Sequence, residues 1–170
     1  KLDDRITELN EEINKLNQDE AALLPWSNYD VPLECTGTRT TKIDTGVLPA
    51  GSDLDSLGKE LDQLNQVLFS PVGSDRDLYY VAVISDNQIH DDVLAILKQS
   101  GFSQMSFKDF KGTVRENLIR IQGERDVLKV ELEKAADEVA DNAGLKPDIE
   151  MYHDILTVSL DKQKIESKCF

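Results

Sequence analysis

Leucine and isoleucine recur at alternating intervals of four and three residues along the first 24 residues of the chain. The positions that share this spacing are Leu2, Ile6, Leu9, Ile13, Leu16 and Leu23, and Glu20 interrupts it. Apolar residues spaced in this way lie on one face of a helix and form the seam of a coiled coil. Residues 1–24 are therefore predicted to form one helix that pairs with another helix.

The same spacing returns after residue 112. Its positions are Val114, Leu118, Ile121, Leu128, Leu132, Ala135 and Val139, and Arg125 occupies one further seam position. This pattern predicts a second helix from about residue 113 to 142. Because a compact segment separates the two seams, the two helices are predicted to form an antiparallel hairpin.

A break or kink is predicted near residues 143–147, where Asn142, Gly144 and Pro147 follow one another closely. Glycine suits a helix C-terminus, and proline is tolerated only in the first turn of the next helix. A last amphipathic helix is predicted beyond the break, with apolar positions at Ile149, Tyr152, Leu156 and Leu160. The apolar stripe beyond about residue 137 has no predicted partner in this chain, which leaves open that two copies associate through it.

Between the two seams the pattern alternates between strand and helix. The predicted elements are a strand at 37–49, a helix at 52–66, strands at 67–72 and 78–85, a helix at 86–101 and a strand at 102–107. The order β-α-β-β-α-β is that of the ferredoxin-like unit, with two helices on one face of an antiparallel sheet. The predicted fold class is therefore α+β, with a ferredoxin-like lobe at 25–112 inserted in a helical hairpin made of 1–24 and 113–170.

Aromatic residues gather in the sequence at the two ends of the predicted lobe. They are Trp26, Tyr29, Phe107 and Phe110. Pro25 precedes the tryptophan and ends the first helix, since it disfavours a helical backbone at the residue before it and lacks an N–H. Two interpretations stay open for the four aromatic residues: a hydrophobic plug between lobe and helices, or an anchor for a partner protein, a role in which Trp and Tyr are enriched.

The chain is acidic, with a formal net charge of -14 over 170 residues. A polyanion is bound mainly by Lys and Arg, so nucleic acid is not an expected partner. An anionic membrane surface is disfavoured for the same reason, and the longest apolar run, at 79–84, is far shorter than the roughly 20 residues that cross a bilayer. Two cysteines and no secretory signal favour the cytoplasm. The absence of an initial Met and a start in heptad phase indicate a piece of a longer protein.

No residue pattern predicts a catalytic, cofactor or metal site. The sequence His90-Asp91-Asp92 is the nearest candidate for a metal site, but consecutive helical residues point about 100° apart, so a solvated first helical turn is predicted there. Arg39 and Arg76 are isolated candidates for an anion-binding loop. The chain is therefore predicted to be no enzyme.

Several segments together resemble one protein family. They are the heptad helix ending in "LLPWSNYD", the strand "KIDTGVLP", the central strand "DLYYVAVI", the helix-to-strand turn "LKQSGFSQMSF", the return "FKGT" and the final "MYHDILTVSLDKQKIESK". This series is similar to the cytoplasmic N-terminal region of subunit I (subunit a) of V/A-type rotary ATPases. The family tends to continue a helix where this chain has Asn142 to Pro147.

The resemblance implies a non-catalytic role. In that family an arm of two antiparallel helical segments, with an α/β lobe at each end, lies on the cytoplasmic side of the membrane. This chain would be the distal lobe and its share of the arm. Its expected partners are the peripheral-stalk subunits E and G and the rest of subunit I, including the membrane domain that conducts ions.

Two other functions fit the pattern less closely. One is a coiled-coil hinge or scaffold protein, in which a globular insert also interrupts an antiparallel coiled coil; its common association with DNA is disfavoured by the acidic charge. The other is a ligand-binding ferredoxin-like regulatory domain, which would need Arg39 or Arg76 in an anion-binding loop.

Overall fold

The computed structural model describes residues 1–143, and the helix predicted from 149 onward lies outside this range. The chain divides into two compact units. The lobe unit is Leu23–Asn117, and the helical unit is Lys1–Ala22 together with Leu118–Phe170, of which residues 118–143 are described. The predicted lobe boundaries were 25 and 112.

The lobe unit is built on a four-stranded antiparallel sheet. Its elements are β1 (Thr41–Pro49), α2 (Leu54–Asp62), β2 (Val67–Ser74), β3 (Leu78–Asp86), α3 (His90–Gln99) and β4 (Ser103–Met105). The strand order is β2-β3-β1-β4, and each neighbouring pair is antiparallel. The predicted α+β class, with an antiparallel sheet and long helices, is confirmed.

The core of the lobe unit lies between one face of the sheet and the two helices α2 and α3. Its buried members are Leu48, Leu57, Leu61, Val81, Val83, Val93, Leu97 and Phe102. β3 is buried along Tyr80 to Val83, as expected for a central strand that is apolar on both faces. Gly46 lies opposite Val81, and a Cβ there would come within 2.4 Å of the Ser103 carbonyl oxygen, so glycine permits the close approach of β1 and β4.

Several elements are shorter than predicted, β4 among them, and three of them have an identifiable local reason. The helix predicted at 52–66 ends at Asp62, because Asn65 and Gln66 adopt positive φ angles of 53° and 60°. The strand predicted from residue 37 begins at Thr41, since the Thr38 hydroxyl accepts the backbone N–H of Thr41 in a turn. The helix predicted at 86–101 begins at His90 after the Asp86 carboxylate has accepted a backbone bond in the preceding turn.

The helical unit consists of α1 (Leu2–Leu23) and α4 (Val114–Ala143), except for their ends in the lobe unit. Its core contains Leu9, Ile13, Leu132 and Ala135, with Ile6 and Leu128 packed against them. The Arg5 guanidinium bonds Glu131 at 2.9 Å, whereas Arg125 pairs with Glu20, so the two helices run antiparallel. None of the helices in the described part combines the length and apolar character needed to cross a membrane.

Candidate functional site

The predicted aromatic residues lie in the lobe unit, and three of them are in contact. Trp26 lies in a 3₁₀ turn (Leu24–Trp26) directly after α1 and is fully buried. Its ring centroid lies 6.0 Å from that of Tyr29 and 5.3 Å from that of Phe107, both edge to face. Phe110 is half-buried and donates its backbone N–H to the Phe107 carbonyl oxygen. The structure thus brings both sequence ends of the lobe unit together around Trp26.

Tyr80 is a fourth member of the aromatic cluster that the sequence did not single out. Its ring lies 5.6 Å from that of Trp26, and its hydroxyl donates to Asp75 at 2.7 Å. Burial, together with this bond to Asp75, raises the pKa of Tyr80 to about 12. We call Trp26, Tyr29, Tyr80 and Phe107 the aromatic cluster.

The turn carrying Trp26 approaches the sheet at a glycine. A Cβ on Gly73 would lie only 2.2 Å from the Pro25 carbonyl oxygen. The strand pairing of β2 shifts register between Pro71 and Gly73, and Asn28 donates from its side chain to the Val72 carbonyl oxygen at 3.2 Å. An irregular, glycine-containing edge strand therefore accommodates the turn that seats Trp26.

A buried polar cluster forms a second candidate site, on the helix-covered side of the sheet. The Asp44 Oδ2 atom lies 3.3 Å from His90 Nδ1, and the Ser85 hydroxyl lies at the same distance from the same nitrogen. Gln104 donates to Asp44 Oδ1 at 3.0 Å. The prediction of a solvated first turn at His90 was wrong: the residue is 7% exposed, because it faces inward with Val93 and Leu97 at helical spacing.

This cluster resembles a nucleophilic triad in composition but not in geometry. A Ser-His-Asp triad needs the hydroxyl and the carboxylate at opposite nitrogens of the ring, so that a proton passes between them. Here both lie at Nδ1. The arrangement therefore links β1, β3, β4 and α3 by polar contacts and does not activate Ser85.

Asp44 gives the lobe unit a testable pH dependence. Burial raises the pKa of Asp44, against the opposing effect of His90 and Lys42. A carboxyl group whose pKa is higher in the folded than in the unfolded state lowers stability as pH rises through the folded-state value. We expect Asp44→Asn to remove this loss. The unfolding free energy of the variant minus that of wild type should therefore increase from pH 3.5 to pH 7.

The measurement is urea unfolding followed by the fluorescence of Trp26, which is the sole tryptophan of the chain and lies in the same unit. Asp77→Asn, in the exposed β2–β3 turn, makes the same charge change outside the buried cluster and is the matched control. If the difference in unfolding free energy between Asp44→Asn and wild type stays constant over this pH range, the raised pKa of Asp44 is contradicted.

The predicted seam residues lie on the facing sides of α1 and α4. Leu9, Ile13, Ile121 and Leu132 are buried, and Leu2, Ile6, Leu16, Leu118 and Leu128 are half-buried. The two polar interruptions of the seam are each other's partners: the Arg125 guanidinium binds both carboxylate oxygens of Glu20 and the Asn17 side-chain oxygen. The Arg125 and Glu20 side chains are only 13% and 28% exposed. A polar layer thus interrupts the apolar seam, whereas the Arg5–Glu131 bond lies on the exposed edge of the interface.

The arginines proposed for an anion site are not brought together. Arg39 precedes β1 and Arg76 precedes β3, and these strands begin at opposite ends of the sheet, since Thr41 pairs with Asp86 and Pro49 with Leu78. Nine antiparallel residues separate the two ends by roughly 30 Å. Residues 1–143 also contain no group of three or more His, Cys, Asp or Glu side chains placed to hold a metal ion.

Comparison with known proteins shows a likeness to a solved structure. No protein-family model matches the chain, and no curated protein matches it. The crystal structure of the cytoplasmic N-terminal domain of subunit I, homolog of subunit a, of V-ATPase is similar to it with a TM-score of 0.57 and 12% sequence identity. The similarity covers 86% of this chain and 49% of that one, so the chain spans about half of that structure. At this identity the likeness shows a shared fold.

Proposed function

We propose that the chain is a non-catalytic stator part of a V/A-type rotary ATPase, formed by the distal lobe and arm of its subunit I. The observation that carries the proposal is the shared fold with the subunit I domain over 86% of the chain. The sequence segments that resemble this family, from "LLPWSNYD" to "FKGT", point independently to the same protein.

The two units have complementary mechanical properties in this proposal. The helical unit is a coiled-coil arm, in which an apolar seam resists separation and the Glu20–Arg125 layer opposes sliding of one helix along the other. The lobe unit is a ferredoxin-like domain, supported by its β-α-β-β-α-β element order and by its strand order β2-β3-β1-β4. An arm that resists bending and a rigid lobe would together oppose the torque of a rotor.

The lobe would bind the peripheral stalk, a heterodimer of subunits E and G, on the cytoplasmic side of the membrane. The chain needs no reaction chemistry for this role. Such a contact does not have to be strong by itself, because several stalk attachments within one complex raise one another's effective concentration. The remaining parts of subunit I, including its membrane domain, would supply ion conduction.

The acidic charge and the separated arginines disfavour the two alternatives. A hinge that meets DNA would expose a basic surface, whereas the net charge is -14. A ligand-binding regulatory domain would converge Arg39 and Arg76 on one anion, and these residues lie at opposite ends of the sheet. The stator function is therefore the one that the geometry supports best.

The test is a pull-down of a purified E–G heterodimer by the immobilised chain. We expect the heterodimer to be retained by wild type and by Gln18→Glu, which changes only an exposed position of α1. Loss of retention is expected for Trp26→Ala, which loosens the lobe unit. If wild type retains no heterodimer while the fluorescence of Trp26 shows a folded lobe, the proposed function is wrong.

A further inference from the structure

Helix α4 carries a second apolar stripe apart from its seam. Five large apolar side chains are exposed among the described residues, and three of them lie on α4. Ile119 is 68% exposed, Val127 59% and Val130 50%. Exposed apolar residues that are scattered singly need no explanation, but three on one face of a helix form a candidate interface.

The positions of these residues place them on one side of the helix. At about 100° per residue, Ile119, Gly123, Val127 and Val130 fall within an arc of about 80°. The seam residues of α4 centre on the opposite side, so this outer stripe faces away from α1. Gly123 lies in the middle of the outer stripe, and a Cβ there would meet nothing within 4 Å. The stripe thus has a recess between Ile119 and Val127.

We propose that the outer stripe is a self-association surface, on which α4 of a second copy packs antiparallel about a two-fold axis near residue 125. In this register Ile119 of each copy lies opposite Val130 of the other. Val127 of each copy lies opposite Gly123 of the other, so that each valine fills the recess that the partner's glycine leaves. An isologous contact needs a surface that is complementary to itself, and the two pairs centre on positions 124.5 and 125, so one two-fold axis serves both to within a residue.

Charges at the edge of the stripe favour the same register on one flank. Arg120 and Glu131 lie on the flank next to Val127, and antiparallel pairing sets Arg120 of one copy against Glu131 of the other, twice by symmetry. Each already has a partner within its own chain, Glu124 for Arg120 and Arg5 for Glu131. In the dimer the ion pairs between the two copies would join these pairs within each chain into one charge network at the edge of the interface. Such a network at an exposed edge contributes to register more than to affinity.

The opposite flank works against the contact. Asp126, which accepts a bond from Gln122 at 2.9 Å, lies close to its own symmetry mate in this register. Like charges in such positions repel, and salt screens the repulsion. The dimer should accordingly tighten as ionic strength rises, as the overall charge of -14 also requires.

The size of the stripe indicates a weak dimer. From Ile119 to Val130 the contact extends about 16 Å along the helix. Two such stripes bury less than the roughly 1,200 Å² of a standard stable interface. Association is thus expected only at high protein concentration.

The test is sedimentation velocity of the 170-residue chain over a concentration series in 0.5 M salt. We expect a concentration-dependent dimer for wild type, at least tenfold weaker association for Val127→Glu and several-fold stronger association for Asp126→Asn. Gln18→Glu and Glu11→Gln make the same charge changes at exposed positions of α1 and should associate like wild type.

Circular dichroism establishes that each variant is folded. A chain that stays monomeric even as Asp126→Asn would overturn the proposal, and so would a dimer that Val127→Glu leaves unchanged, since its contact would lie elsewhere. The self-association proposal does not depend on the stator function. Sedimentation tests contacts of α4, whereas the pull-down tests retention of the E–G heterodimer by the lobe, so either proposal can fail without the other.

Discussion

Replacing Trp26 with alanine is expected to lower the free energy of unfolding of the lobe unit by about 3 to 5 kcal/mol, the usual cost of deleting a buried large aromatic side chain. The indole is fully buried and meets Tyr29, Tyr80 and Phe107 edge to face. Its removal leaves a cavity among three rings that belong to different segments. The surrounding chain cannot collapse easily into that cavity, because Gly73 and Pro25 already approach closely.

The measurement is native-state hydrogen exchange at the central strand β3, which reports the stability of the lobe unit. It does not need tryptophan fluorescence, which the substitution removes. Trp26→Phe is the matched control. It keeps an aromatic ring and removes an indole N–H that is buried without a hydrogen-bond partner among the described residues, so a cost below about 1.5 kcal/mol is expected. A loss below about 1 kcal/mol for Trp26→Ala would show that Trp26 does not seal the lobe unit, and would favour its use as a partner anchor.

Replacing Glu20 with leucine is expected to destabilise the helical unit by about 2 to 3 kcal/mol, because it leaves the Arg125 guanidinium without its carboxylate in a largely buried position. The value lies below that of a fully buried pair, since the Glu20 side chain keeps 28% of its exposure. Leucine at residue 20 would otherwise complete the apolar seam, so sequence pattern alone would predict stabilisation.

The double variant Glu20→Leu with Arg125→Leu is expected to recover the wild-type stability or exceed it, since replacing both members of a buried pair by apolar residues is often neutral or favourable. Urea unfolding followed by circular dichroism gives the four corners of the double-mutant cycle. We expect a coupling energy of at least about 1.5 kcal/mol. Additive effects of the two single substitutions would show that the pair contributes nothing to the interface.

The two helices of the helical unit and their buried faces could be predicted from the sequence, because a seam with 4,3 spacing specifies which face of a helix is buried. The same pattern identified Glu20 and Arg125 as interruptions of the seam. It did not show that they pair, since that depends on the register between two helices separated by about a hundred residues. Register is set by packing across the interface, which a one-dimensional pattern does not contain.

The lobe unit was predicted in class and element order, but not in its polar interior. β-branched and apolar runs predicted β1, in which alternate residues are buried, and β3, which is buried continuously from Tyr80 to Val83. His90 was misassigned because its neighbours Asp91 and Asp92 are acidic and exposed, although Val93 and Leu97 mark its face as inward. Asp44 shares its alternation with the buried Leu48, which was the available signal for a buried carboxylate.

No pattern in the sequence predicted that Tyr80 belongs to the aromatic cluster. It lies on β3, where both faces are apolar, and nothing local shows which face the Trp26 turn will cover. The contact depends on the irregular edge strand β2 and on the missing Cβ of Gly73. Features of this kind follow from tertiary packing and are not predictable from periodicity.

The proposed stator function rests on binding of the peripheral stalk of a rotary ATPase by the lobe unit of this chain. Its most direct test is chemical cross-linking of lysines, followed by mass spectrometry, in an assembled complex that contains this chain. We expect links to the E–G heterodimer from the five lysines of the lobe unit, which are Lys42, Lys59, Lys98, Lys108 and Lys111. A complex whose stalk forms cross-links to other subunits but none to these lysines would contradict the claim.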